Sequence, residues 1–169
     1  YGLPYELYEK SRVRRYGFHG TSHNYVSLRA AQFLKRRPNE LRLVSCHLGN
    51  GSSLCAVDHG RSVDTTMGFT PAEGLIMGTR SGDIDAGVLA FLERTEGFTA
   101  AQCEELLNKK SGLLGLSGIS SDMREVLKAA GEDQPRALVA LKTYCYRVRK
   151  YLGAYVAAMG GLDVIVFTA

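Results

Sequence analysis

The stretch Leu41-Arg42-Leu43-Val44-Ser45-Cys46-His47-Leu48-Gly49-Asn50-Gly51-Ser52-Ser53-Leu54-Cys55-Ala56-Val57-Asp58-His59-Gly60-Arg61-Ser62-Val63-Asp64-Thr65 decides the fold. It reads as strands over 41–47, 53–57 and 61–65, separated by the turn signals Gly49-Asn50-Gly51 and Asp58-His59-Gly60, because short β-branched and apolar runs bounded by Gly, Asn and Asp are the pattern of consecutive strands. Three such strands with short turns form an antiparallel meander.

Upstream, Phe18-His19-Gly20 leads into a helix whose apolar face is Val26, Leu28, Ala30, Ala31, Phe33 and Leu34. Thr21, Ser22 or Asn24 is the expected cap, and Lys35-Arg36-Arg37 before Pro38 the expected end. Downstream, residues 67–85 carry glycines at 68, 74, 78 and 82 and read as a long functional loop with short helical turns. Helical patterns resume over 87–92, 100–108 and 123–130, the last capped by Ser120 or Ser121, while 111–118 reads as a glycine-broken loop. A long helix over 134–159 carries Leu138, Leu141, Tyr144, Cys145, Val148, Tyr151, Leu152 and Tyr155 near helical spacing, a stripe expected to lie on the sheet. A final strand over 163–168 follows this crossover, so it enters with parallel character and the fold is α/β.

The composition, 45% hydrophobic and 22% charged over 169 residues, fits one soluble domain with a core large enough to stand without disulfides or metals. No repeat or linker divides it. A formal charge of +4 suits an anionic ligand, but the basic residues are dispersed among acids, which argues against nucleic acid. Arg12, Arg14 and Arg15, with Lys35, Arg36 and Arg37, read as solvated faces. Cys46, Cys55, Cys103 and Cys145 form no C-x-x-C pair and read as reduced packing residues. No apolar run approaches the ~20 residues of a membrane span and no leader pattern opens the chain, which implies no membrane partner and a cytoplasmic location. The opening at Tyr1 and the close on an apolar run over 163–169 imply an internal piece of a longer polypeptide.

Four segments carry chemistry. Gly49-Asn50-Gly51-Ser52-Ser53 offers closely spaced N–H groups and small side chains that can cradle phosphate oxygens, although it also suits a plain hairpin and lacks the P-loop pattern. His19-Gly20-Thr21-Ser22-His23 sets two histidines at a helix start, where anions are favoured and a protonated ring would add to the attraction; capping is the ordinary reading, and no metal site is expected without a third ligand. Arg80, within Gly78-Thr79-Arg80-Ser81-Gly82-Asp83-Ile84-Asp85, can fork onto a carboxylate or phosphate, or pair with Asp83 or Asp85. Asp122-Met123-Arg124 lies near a helix start, where anion contact and capping compete.

Taken together, Arg14 to His23, His47-Leu48-Gly49-Asn50-Gly51-Ser52-Ser53, Asp64 to Pro71, Gly78 to Asp83 and Ser111 to Arg124 resemble the motifs of the acetokinase family, within the sugar kinase, Hsp70 and actin superfamily. The resemblance implies an RNase H-like, actin-type ATPase domain with a mixed, truncated sheet, filling residues 1–169 as a single partial domain, mostly the carboxy-terminal one of an acetate kinase. It implies reversible phosphoryl transfer from ATP to acetate, giving ADP and acetyl phosphate, with Mg²⁺ held by groups outside this chain. By position in the motifs, His19 and Arg80 would stabilise the transferring phosphoryl group, and Arg80 would also hold the carboxylate. Phe18 and Pro71 would wall the methyl pocket. His47, Leu48, Gly49, Asn50 and Gly51 would face the nucleotide phosphates, and Asp122, Met123 and Arg124 would lie along the nucleotide. The family also implies a homodimer. The first phosphate motif, an aspartate that steers acetate and magnesium, a second clamp arginine and a magnesium-linked glutamate are expected elsewhere, with a Gly-Ile-Gly-Glu-Asn run after Ala169. Ala86 stands where the family often has proline. The isolated chain is therefore expected to be inactive. Two other readings are a propionate or butyrate kinase piece and a noncatalytic phospho-ligand-binding or dimerisation module.

Overall fold

Four strands form in the computed structural model, which describes residues 1–169: β1 Arg42–Leu48, β2 Ser52–Asp58, β3 Arg61–Thr65 and β4 Val164–Thr168. They make one mixed sheet in the order β3-β2-β1-β4. β2 and β3 pair antiparallel, from Cys55 opposite Thr65 to Asp58 opposite Arg61, with an irregularity between Ala56 and Val57. β4 pairs parallel with β1, from Leu43 opposite Val164 to His47 opposite Thr168. This is the mixed α/β arrangement that the meander and the crossover predict.

Burial follows strand position. β2 is buried almost throughout and β1 over residues 43–46 with half-buried ends, the outer strand β3 is exposed along most of its length, and β4 alternates between half-buried Val164, Val166 and Thr168 and exposed Ile165 and Phe167. The helical elements are α1 Tyr5–Ser11, α2 Gly20–Phe33, a 3₁₀ turn Pro38–Glu40, α3 Gly87–Glu96, α4 Ala100–Lys109, α5 Gly112–Ser117, α6 Met123–Gly131 and α7 Pro135–Met159. No helix is long and apolar enough to cross a membrane.

The chain divides into two compact units. The first comprises Tyr1–Leu48, Ser53–Glu73 and Leu152–Ala169; the second comprises Gly49–Ser52 and Gly74–Tyr151. In the first unit α2 lies on β1 and β4, and Leu43, Cys55 and Val57 pack with Ala30, Val164 and Val166. Strand alternation puts Leu43, Ser45 and His47 on one face of β1, with Ser53, Cys55 and Val57 on the same face of β2. Under α2, then, one end of that face is apolar and the other carries hydroxyls and an imidazole. The Asp163 carboxylate locks the parallel pairing at its start, accepting from Arg42 N at 2.7 Å and pairing with the Arg42 guanidinium at 3.5 Å.

In the second unit Leu113, Val126, Ala129, Ala130, Ala137 and Ala140 form the core where α5, α6 and the start of α7 meet, with Leu138, Leu141 and Tyr144 packed against it. The first half of the long helix's stripe, Leu138, Leu141 and Tyr144, packs on this core. One expectation is corrected here. Residues 112–117, read as a glycine-broken loop, form α5, since Gly112 begins the helix and Gly118, at φ 69°, ends it. Two caps also differ. α2 begins after His19 in the left-handed region (φ 60°, ψ 20°), leaving Thr21, Ser22 and Asn24 inside the helix. α6 is capped by Asp122, which accepts from Arg124 N at 2.8 Å, and not by Ser120 or Ser121. α1 carried no signal read from the sequence. Its residues are half-buried at most, so no apolar face announces it.

Leu43, 2% exposed, sits at the centre of the α2 interface. Leu43→Ala should lower the unfolding free energy by about 2–5 kcal/mol, whereas Phe33→Ser on the outer face of α2, where Phe33 is 87% exposed, should change it by less than about 0.5 kcal/mol. Urea titrations of the two variants check both values.

Candidate functional site

Three imidazoles meet at the polar end of the α2 interface. His19 precedes α2, and its carbonyl accepts the first helical bond from His23 N at 2.9 Å. The left-handed backbone at His19 costs about 1–3 kcal/mol for a side chain other than glycine, and it accompanies a ring placed against the sheet. His19 Nδ1 lies 2.8 Å from Ser53 Oγ, and the ring stacks on His47 with centroids 4.0 Å apart. His47 Nδ1 is 3.0 Å from Ser22 Oγ. One helical turn on, His23 is 4% exposed, its Nδ1 at 2.6 Å from Ser45 Oγ and its Nε2 at 2.8 Å from Ser53 Oγ. Burial, and then the neighbouring His19 and His47, lower the His23 pKa to about 4, so the ring is neutral at ordinary pH. Sequence reading named the histidines, and Ser53 as part of the 49–53 loop, but not Ser45 or the pairing of these hydroxyls with the rings; the signal was available in strand alternation, which aims both hydroxyls at α2.

In the second unit the glycine loop and the arginine loop are built together. Gly78 N donates to Asn50 O at 3.1 Å, and a Cβ on Gly78 would overlap the Asn50 side-chain oxygen and stand 3.1 Å from Ser121 O. Glycine at 78 thus lets Asn50 lie against the loop and beside the start of α6. The segment bearing Arg80 is held by its backbone: Met77 N to Arg80 O, Ser81 N to Leu107 O, Ser111 N to Thr79 O and Leu113 N to Met77 O, all between 2.9 and 3.1 Å. Gly112, at φ 64°, makes that approach possible, since a Cβ there would overlap Met77 O and lie 2.8 Å from Arg80 O. The Asp83 carboxylate accepts from Gly74 N, from Arg147 Nη1 at 2.9 Å and from Tyr151 OH at 2.6 Å, which ties the loop to α7. Arg80 is half-buried on this rigid base.

The sequence-predicted residues fall into two groups. Phe18, His19, His47, Leu48 and Pro71 belong to the first unit, and Gly49, Asn50, Gly51, Arg80, Asp122, Met123 and Arg124 to the second. Phe18 lines a cavity of about 200 Å³ with Tyr16, His23, Leu43, Cys55 and Val57; Pro71 is not among its walls. Asp122 does more than cap α6: its carboxylate also holds the Arg124 guanidinium, and that hydrogen bond, then the one from the Arg124 backbone, lowers its pKa to about 2. Arg15 is not the solvated residue expected. It donates to the carbonyls of Thr65, Thr66 and Met67 at 2.9–3.2 Å and pairs with Glu73, fixing the start of the long loop. Cys46, Cys55 and Cys103 are buried, and all four cysteines are free thiols. No group of three or more His, Cys, Asp or Glu side chains comes together to hold a metal ion.

The model of the acetokinase family matches residues 1–169, the whole chain. The chain belongs to the acetokinase family. Among the curated relatives of that family, it is 62% identical over 170 residues to the acetate kinase of Thermoanaerobacter pseudethanolicus and 59% identical over 169 residues to that of Caldicellulosiruptor saccharolyticus. It spans about 42% of the length of each. Among solved acetokinase structures, the Porphyromonas gingivalis acetate kinase superposes with a TM-score of 0.95 at 54% identity, covering 98% of this chain and 41% of that one. A propionate kinase from Francisella tularensis superposes with a TM-score of 0.94 at 43% identity, covering 98% and 42%.

Two outcomes follow for this acetokinase chain. Because His23 titrates at about 4 when folded and near ~6.5 when unfolded, the unfolded chain binds more protons between those values, and stability rises with pH there. Unfolding free energy should fall by up to about 1.4 kcal/mol per pH unit from pH ~6.5 towards ~5, with His23 ring signals unshifted over that interval in an NMR titration. Gly112→Ala, which forces a side chain into a left-handed position against Met77 O, should cost more than about 2 kcal/mol in urea unfolding.

Proposed function

We propose that this chain supplies part of the phosphoryl-transfer site of an enzyme that reversibly moves the ATP γ-phosphoryl group to acetate. The single observation that carries the reading is the family match along the entire chain, residues 1–169, with the histidine, glycine-loop and arginine motifs inside it. In such transfers catalysis is positioning and charge stabilisation, and the residues here have the chemistry for both. His19 and Arg80 are assigned to the equatorial oxygens of the moving group, Arg80 also to the acetate carboxylate, and Phe18 and Pro71 to the methyl group. The 47–51 segment is assigned to the nucleotide phosphates and Asp122, Met123 and Arg124 to the nucleotide. The backbone bonds on both sides of Arg80 support its role, because a guanidinium rooted in a fixed loop forfeits little freedom on binding.

Mg²⁺ is assigned to groups outside this chain, and no step here is routed through it. The dimer and the cytoplasmic setting belong to the same proposal. Resemblance to the Francisella propionate kinase favours propionate as a second substrate, since one methylene changes discrimination by only about 1–3 kcal/mol.

The test is a chimera in which this chain replaces the matching segment of the Thermoanaerobacter acetate kinase. The chimera should form acetyl phosphate from ATP and acetate in a hydroxamate assay. Arg80→Ala or His19→Ala in it should lower kcat by about 10²–10³, and propionate run in parallel measures acyl preference. The 169-residue chain alone should form none. A chimera that folds but makes no acetyl phosphate, or variants as active as the parent, would overturn the assignment and leave a noncatalytic module as the reading.

A further inference from the structure

We infer that Ser53 is a positioning residue for His19, passing on the hydrogen-bond direction of buried His23 so that neutral His19 carries its proton on Nε2. The inference deepens the proposed phosphoryl-transfer role of His19 and rests on it.

The geometry is a line of four side chains. Ser45 Oγ lies 2.6 Å from His23 Nδ1, His23 Nε2 lies 2.8 Å from Ser53 Oγ, and Ser53 Oγ lies 2.8 Å from His19 Nδ1. Ser45 and Ser53 are both 0% exposed. A serine hydroxyl has one proton to donate, so Ser53 can donate to only one of its two ring nitrogens and must accept from the other. A neutral imidazole likewise donates from one nitrogen and accepts at the other. Choosing the direction at one end therefore sets every bond to the other.

Ser45 makes the choice. His23 Nδ1 is the hydrogen-bond partner of its hydroxyl, and a fully buried O–H without an acceptor costs about 1–3 kcal/mol. Ser45 is thus the donor and His23 Nδ1 the acceptor. The His23 proton then sits on Nε2 and is donated to Ser53, and the Ser53 proton is donated to His19 Nδ1. His19 Nδ1 is an acceptor, and its own proton stands on Nε2, where it acts as an N–H donor without positive charge. Adding a proton at His19 Nδ1 would set two donors face to face across Ser53, or reverse the line and strand the Ser45 hydrogen. His23 on α2 and His47 on β1 face the His19 ring, and neither of these imidazoles carries a negative charge. His47, stacked on the ring, fixes its plane but not its proton. A wrong tautomer at such a position presents a lone pair where a donor is needed, and loses the stabilisation that a correctly placed N–H gives the moving charge.

The tautomer is read directly from the ¹⁵N shifts of the imidazoles in the 169-residue chain at a pH where His19 is neutral, without substrate. His19 should show the Nε2–H form in the unaltered chain; an Nδ1–H form there overturns the inference with no variant needed. Ser53→Ala should produce a mixture of tautomers, Ser53→Thr should restore the single form, and Ser45→Ala should weaken the preference from two side chains away. An Ala variant with the parental spectrum also overturns it. In the chimera, Ser53→Ala should lower kcat by about tenfold or more, a part of what one donor supplies, with KM for ATP unchanged and Thr restoring the rate. Unaltered kcat beside an altered tautomer would overturn the positioning role. An inactive parent chimera would instead sink the kinase reading, and the ¹⁵N shifts would still decide the tautomer.

Discussion

The parallel pairing of β1 with β4 is the constraint on which the first unit depends. It joins Leu43 to Val164 and His47 to Thr168 across most of the chain, so the loop-closure entropy of the intervening helices must be met by contacts that form only when β4 arrives. Val164 and Val166 complete the apolar floor under α2, and the Asp163–Arg42 contacts fix the register at its start. A one-residue slip of β4 would turn Ile165 and Phe167 towards α2 and empty the floor of its valines. The imidazoles sit at the far end of the same interface, so their placement inherits this register.

A protein interior tolerates polar groups only when each is matched, and the site lies where that rule is under most demand. Ser45, Ser53 and His23 are all buried, and each satisfies another. Elsewhere the backbone does the equivalent work: the loop bearing Arg80 exchanges amide–carbonyl bonds with the end of α4 and the start of α5. One unit positions rings through side-chain hydroxyls, and the other positions a guanidinium through main-chain geometry. Both devices reduce what ligand binding must still order.

Much of this was legible in the sequence. Turn signals at Asn50 and Gly60 bounded the strands to within a residue or two, and the 3.6-residue spacing of Leu138, Leu141 and Tyr144 gave α7 nearly its full length. What failed was local. Propensity nominated Thr21, Ser22 or Asn24 as a cap, but the sheet needed His19 in a left-handed turn, and tertiary contact overrode preference. Glycines at 112, 115 and 118 argued for a loop, whereas Gly112 is there because Met77 and Arg80 leave no room for a Cβ. Arg15 looked like a surface charge because no local pattern reveals the three carbonyls, 50 to 52 residues away, to which it donates. The candidate residues were named from motif likeness. Ser53 and Asp83 stood in those motifs too, but their supporting contacts, like those of Ser45 and Gly112, came from three-dimensional neighbours.

The four thiols differ in a way that matters at the bench. Cys46 and Cys55 are buried in the central strands, where burial pushes the Cys46 thiol up to about 11 and moves the Cys55 thiol upward, and Cys103 is shielded in α4. Thiolate, the reactive form, is therefore scarce and inaccessible at the first two. Cys145, exposed on α7, remains as the natural attachment point for a maleimide dye or spin label. The native chain thus comes with a single-site handle for spectroscopy, one that requires no cysteine to be engineered in or out.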